Sequence, residues 1–228
     1  EPFVISDEAF CSNMGSLLTG ALDRLTIAKR LYNLFPNGKI IITIRNQYNL
    51  LRSWYLQAQN RKLQKAITFQ AWLDLHYEQI ELTSVFHYVD FETLVDIYAQ
   101  LFGESNVFLM VYEQFRANNT HFLSHLCDIL GIQAYPQLLH CPRRNVTPKF
   151  LPFGRNKRKH DIYSTRSPAH VYQSIFCSIL RKTFTRVGRE PHFPKKYVDF
   201  IENRYREGNR NLNVRYNLGL EKYRYPLS

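Results

Sequence analysis

Arg45 and Ser53 have types and a spacing that could do chemistry together. Arg45 directly follows the apolar run Ile40–Ile44. Ser53 lies about two turns into the helical pattern that succeeds it, carried by Leu50, Leu51, Trp54 and Tyr55. A guanidinium offers a planar fork of donors matched to a phosphate-type anion. A serine hydroxyl can add one more donor to the same anion. In open α/β sheets, ligands bind in the crevice outside the carboxyl ends of the strands. The pair therefore predicts an anion site at a strand end; an ordinary strand–loop–helix with a surface arginine is the alternative. His121 and His125, spaced i,i+4, could place two metal ligands on one helix face, but no Glu follows His121 and no third ligand is evident, so no metal site is expected.

The elements that must hold Arg45 and Ser53 follow from hydrophobic pattern. Ile40–Ile44 is β-branched and too short for a helix, the pattern of a strand buried on both faces of a parallel sheet. Residues 3–5 (FVI) and 107–112 (VFLMVY) read as two further strands. Helices are expected over residues 22–35, with Leu22, Leu25, Ala28, Tyr32 and Phe35 near one face, and over 49–60, 69–76, 91–102, 119–130, 171–185 and 195–208. Strands separated by helices argue for an α/β chain with a parallel sheet and crossover connections.

Composition bounds the remainder. With 228 residues, 45% of them hydrophobic and 14% aromatic, the chain has material for one sizeable core, and residues 1–228 are read as a single domain. No apolar stretch approaches the length needed to span a bilayer and no signal-peptide pattern is present. The four scattered cysteines read as reduced thiols, which points to a cytoplasmic chain, although an upstream targeting or anchor segment stays open. Residues 140–228 hold 20 Lys and Arg against 6 Asp and Glu, whereas residues 1–139 hold 10 against 13. That asymmetry predicts an anionic partner for the C-terminal part, or else a solvated basic face. The basic run at residues 155–159 lacks the helix-turn-helix, zinc-finger or aromatic motifs of nucleic-acid binders, so nucleic acid is not expected. The aromatics Trp72, Tyr77, Phe86, Tyr88, Phe91 and Tyr98 read as core rather than as a sugar-stacking surface.

The strand followed by Arg45-x7-Ser53 resembles the 3′-phosphate-binding segment of sulfotransferases, which use 3′-phosphoadenosine 5′-phosphosulfate (PAPS) as sulfuryl donor. Gln47 and Asn49 stand where that pattern has proline and an acidic residue. Val107 to Phe115 (VFLMVYEQF), with Phe122, Leu126, Leu130 and Gly131-Ile132 after it, resembles the family's strand ending Tyr-Glu-Asp-Leu and its following helix, with Gln114 and Phe115 in place of Asp-Leu. The stretches Asn209-Arg210-Asn211-Leu212, Leu218-Gly219-Leu220 and Tyr223-Arg224-Tyr225-Pro226 resemble the closing helix and tail. The resemblance thus runs in order through most of the chain.

It implies a parallel-sheet, three-layer, P-loop-like sulfotransferase fold of α/β class. It also implies that a Lys-Ser/Thr loop should hold the donor's 5′-phosphosulfate. No such loop is found; the nearest spacing, residues 15–20 (GSLLTG), lacks the Lys and Ser/Thr, so the fold is expected to be N-terminally incomplete. The resemblance further implies that Arg45 and Ser53 bind the 3′-phosphate, that Tyr112 meets the adenine, and that Arg143, Arg144 and Lys149, in a basic cofactor-side loop over residues 140–168, close over that phosphate. Glu8, with Asp7 second, stands where the family places its base. Glu113 is expected to be a structural partner of a nearby cation. Residues 61–90 are expected to shape the acceptor pocket. The implied activity is transfer of a sulfuryl group from PAPS to a hydroxyl or amine acceptor, with a carbohydrate as leading acceptor, adenosine 3′,5′-bisphosphate as product and no metal. A non-catalytic nucleotide- or anionic-glycan-binding module is the alternative, and a P-loop kinase relative is disfavoured by the missing loop.

Overall fold

The computed structural model describes residues 3–6, 23–60, 67–78, 84–135 and 191–227. Along the chain these are α1 (Arg24–Leu34), β1 (Ile40–Ile44), α2 (Gln47–Asn60), α3 (Phe69–Glu78), the short α4 (Val85–Tyr88), α5 (Phe91–Phe102), β2 (Val107–Val111), α6 (Tyr112–Ala117), α7 (Asn119–Leu130) and α8 (Lys195–Tyr216). Single 3-10 turns precede β2 (Glu104–Asn106) and follow α8 (Leu220–Tyr223). Among the described residues the sheet has two strands, β1 and β2, paired in parallel with Ile40 opposite Val107 and Ile44 opposite Val111. Parallel pairing needs a long crossover, which α2 to α5 supply. The two strands therefore end side by side, with Arg45 and Tyr112 as the next residues.

Local chemistry sets the helix ends. Asp23 caps α1 by accepting the Thr26 N–H, Asp90 caps α5 through Thr93 and Asn118 caps α7 through His121, each satisfying a donor that the helix leaves unpaired. Gly131 closes α7 in the left-handed conformation (φ 68°) that glycine adopts without a steric penalty. On α8 the buried residues Tyr197, Ile201, Tyr205, Asn209 and Leu212 recur every three or four positions, forming one stripe along 22 residues. Gly208, beside that stripe, lets α8 approach α5: a Cβ there would lie 2.7 Å from Glu92 Oε2.

The core joins both strands to α5 and α8 through Ile42, Ile44, Val107, Leu109, Val111, Leu94, Val95, Tyr98, Ile201 and Leu212. Trp72, Phe86, Phe91 and Tyr98 are buried within it, which excludes them from a sugar-stacking surface, while Tyr77 and Tyr88 are half-buried. Phe86 stacks on Tyr197 at 6.1 Å. Three buried phenols find acceptors: Tyr205 donates to the Phe86 carbonyl, Tyr55 to that of Ile67, and Tyr197 to Asp74.

Three expectations are corrected. Residues 3–6 form no strand, and Phe3, Val4 and Ile5 are exposed, so an apolar run this short does not by itself make a strand. On α1 the inward face holds Arg24, Ala28 and Leu31, while Leu25, Tyr32 and Phe35 lie outside. The inner position is claimed by Arg24 because it satisfies carbonyls at the end of α4. On β1, Thr43 is exposed between buried Ile42 and Ile44, so the strand alternates rather than being covered on both faces. The expected helix at 171–185 lies outside the described residues. No described helix is long and apolar enough to cross a membrane.

Burial also gives α3 a pH dependence. His76 packs edge-on against Trp72 at 4.6 Å, and its Nδ1 is buried with no hydrogen-bond partner among the described residues. Desolvation pulls its pKa down from 6.5 to about 4. The unfolded chain therefore takes up the proton first on acidification. The contribution of neutral His76 is complete above about pH 6.5 and is lost as the pH falls towards about 4. Between about pH 7 and about pH 5 the thermal midpoint of the native chain should fall further than that of a His76→Phe variant, which keeps the packing and cannot titrate. Parallel melting curves across this range check it.

Candidate functional site

The carboxyl ends of β1 and β2 bring together three short segments: Arg45-Asn46-Gln47, Tyr112-Glu113-Gln114, and the tail around residues 223–226. Arg45 is the first residue beyond β1. Its guanidinium lies over the Tyr112 ring, 4.9 Å from the centroid, and its Nε is buried without a hydrogen-bond partner among the described residues. A cation against an aromatic face is held by the ring quadrupole while its in-plane N–H donors stay available. Burial draws the Arg45 pKa below its ordinary value, offset in part by Tyr112 and Glu113. An arginine stays charged under such a shift. The result is a half-buried positive group at a strand end, with a donor that lacks an acceptor among the described residues.

Asn46, 3% exposed, organises the turn after Arg45. Its Oδ1 accepts the Asn49 N–H at 3.2 Å, which makes it the N-cap of α2. Its Nδ2 donates to the carbonyls of Tyr223 (3.2 Å) and Arg224 (2.7 Å), and its backbone N–H donates to Glu113 Oε1 at 3.1 Å. Gln47, fully buried, donates through Nε2 to Asn209 Oδ1 at 2.9 Å, and Asn209 Nδ2 donates to the Pro226 carbonyl at 3.0 Å. The second Glu113 oxygen accepts the Tyr225 hydroxyl at 2.9 Å. Burial and the Glu113 charge push the Tyr225 pKa far up, so this phenol stays a donor.

Among the residues singled out by sequence, Arg45 and Tyr112 are brought into contact. Ser53 is buried on α2. Glu113 is a structural acceptor, but its hydrogen-bond partners are a backbone amide and a phenol rather than a cation. Glu8, Asp7, Arg143, Arg144 and Lys149 lie outside the described residues, as does the 15–20 stretch. His121 and His125 are both exposed on α7, and no group of three or more His, Cys, Asp or Glu that could hold a metal ion occurs among the described residues. Asn46, Asn209 and Tyr225 carry most of the polar organisation and were not singled out by type. The available signal was an asparagine placed directly before a helical run, the usual N-cap choice.

A family model described as "Sulfotransferase family" matches residues 21–137, a span that includes both strand ends with Arg45, Ser53, Tyr112 and Glu113. The chain belongs to the sulfotransferase family, and its parallel β1–β2 pair with flanking helices is the α/β arrangement which that membership implies. Among solved structures it is similar to a sulfotransferase from Alicyclobacillus acidocaldarius, with 22% sequence identity and a TM-score of 0.42 over 50% of this chain and 52% of that one. The chain therefore spans about half the length of that relative. No curated protein matches it. Asn209 and Tyr225 fall outside the family match.

Proposed function

We propose that this chain transfers a sulfuryl group from PAPS to a hydroxyl or amine acceptor, with a carbohydrate as the leading acceptor class, and seats the donor's 3′-phosphate at the ends of β1 and β2. The observation that carries this reading is Arg45: a charged, half-buried guanidinium stacked on Tyr112, with a buried Nε unpartnered among the described residues. An unpaired buried donor costs free energy, and an anion arriving at that position removes the cost. In this reading Tyr112, whose ring lies against Arg45, meets the donor's adenine. Ser53 contributes the second donor from α2, and Arg143, Arg144 and Lys149 add positive charge from the basic segment.

PAPS, when bound, supplies an activated sulfuryl group. The protein's work is then positioning, charge stabilisation and proton removal. Glu8, or Asp7 in second place, takes the acceptor's proton as the acceptor oxygen or nitrogen bonds to sulfur and the bridging sulfur–oxygen bond to the 5′-phosphate breaks.

Isothermal calorimetry with adenosine 3′,5′-bisphosphate tests the site. Arg45→Ala should weaken binding by about 1.5–3 kcal/mol, the usual worth of a hydrogen-bonded charged contact. Equal affinity in the two proteins would remove Arg45 from phosphate recognition. Binding with no sulfuryl transfer to any acceptor would leave a nucleotide-binding module in place of an enzyme.

A further inference from the structure

We propose that Glu113 is a positioning residue for Arg45 and that Tyr225 ties the C-terminal segment to it, so that docking of residues 223–227 and anion binding at Arg45 are thermodynamically coupled. This rests on the reading that Arg45 receives the donor's 3′-phosphate.

The connection is continuous and short. One Glu113 oxygen accepts the backbone N–H of Asn46, the residue that follows Arg45, and the other accepts the Tyr225 hydroxyl. The Asn46 side chain donates to the two preceding tail carbonyls, Tyr223 and Arg224. The peptide after Arg45 is thus held by a carboxylate from the β2 end, while its side-chain amide is held by the tail. A carboxylate accepting two donors makes stronger, shorter-ranged restraints than a neutral acceptor would.

The tail itself is held against a local preference. Arg224 has φ 57° and ψ 40°, a left-handed conformation that a non-glycine residue keeps only where its surroundings over-determine it. Those surroundings are the contacts named above: Asn46 on the Tyr223 and Arg224 carbonyls, Glu113 on Tyr225, and Asn209 on the Pro226 carbonyl. Releasing Tyr225 therefore frees the tail from one anchor and Glu113 from one donor at once.

Calorimetry on the full chain tests this with two probes, adenosine 3′,5′-bisphosphate and adenosine 5′-monophosphate, which lacks the 3′-phosphate. Tyr225→Phe removes one oxygen from a side chain that is otherwise packed, and Glu113→Gln removes the charge while keeping the shape. Each should cut the preference for the bisphosphate by about threefold or more, with monophosphate affinity within about twofold of native. In an Arg45→Ala background, Tyr225→Phe should change that preference no further, because the two act on one contact. If Tyr225→Phe lowers the thermal midpoint but leaves the native preference intact while Arg45→Ala abolishes it, the coupling is wrong and the anion site stands. If Arg45→Ala also keeps the native preference, the site reading fails and this inference fails with it. Should Glu113→Gln not fold, Tyr225→Phe alone decides.

Discussion

Asn209→Ala should lower the unfolding free energy by about 2–5 kcal/mol, read as a loss of thermal and denaturant stability at constant m-value. Asn209 is 2% exposed on the inner stripe of α8, and its amide is used in both directions. Its Oδ1 accepts Gln47 Nε2 and its Nδ2 donates to the Pro226 carbonyl. Alanine leaves a buried amide donor on Gln47 and a buried carbonyl at Pro226 unsatisfied, each worth about 1–3 kcal/mol when orphaned. An Asn209→Asp variant separates polarity from shape: it keeps an acceptor for Gln47 but faces the Pro226 carbonyl with an oxygen, so it should recover only part of the loss. Because Gln47 lies two residues from Arg45, the same substitution should loosen the turn that carries the anion site. Retained stability in Asn209→Ala would mean that water fills the gap and satisfies both groups.

What could be read from the sequence follows a physical division. Ile40–Ile44 and Phe91–Phe102 announced themselves because their signals are local: a short β-branched run, and an apolar face between Asp90 and Gly103. Arg45 stood out because it directly follows a strand, whereas Tyr112 was singled out only by the family resemblance; the parallel pairing brings the two together. The same local logic failed at residues 3–5, whose apolar run pairs with neither described strand, and on α1, where the inward face is decided by a contact some 60 residues away. The site's polar framework was illegible for the same reason. Asn46 reaches Arg224 across 178 positions and Gln47 reaches Asn209 across 162. A hydrogen bond between such residues imposes no periodicity and no spacing rule. Only burial, which makes an unpartnered polar group costly, brings it into being.

Arg24→Met should be the most destabilising single change outside the apolar core, at about 3–5 kcal/mol, and it follows from that same cost. Arg24 is 4% exposed and carries a positive charge into the interface between α1 and the α4–α5 corner. Its Nη1 donates to the Asp90 carbonyl at 2.9 Å, its Nη2 donates to the Tyr88 carbonyl at 2.6 Å, and its guanidinium lies 5.6 Å from the centre of the Tyr88 ring. The Tyr88 carbonyl ends α4, where a helix terminus leaves oxygens without intrahelical donors, and the Asp90 carbonyl lies at the N-cap of α5, with a second lone pair to offer. A guanidinium, with donors on separate nitrogens, reaches both. Methionine keeps the length and most of the volume of the aliphatic stem, so packing is largely preserved and the measured loss reports the guanidinium's polar contacts, including the two charge-assisted hydrogen bonds and the Tyr88 ring. Arg24→Lys tests the geometry: one ammonium cannot span both carbonyls as the guanidinium fork does, so about half the loss should remain. The effect should also appear at a distance, because Arg24 helps burial to hold the His87 pKa below its ordinary value. In Arg24→Met that pKa should move up, which a histidine titration by NMR would read directly. If the two carbonyls were solvated instead, Arg24→Met would cost little and His87 would titrate as before.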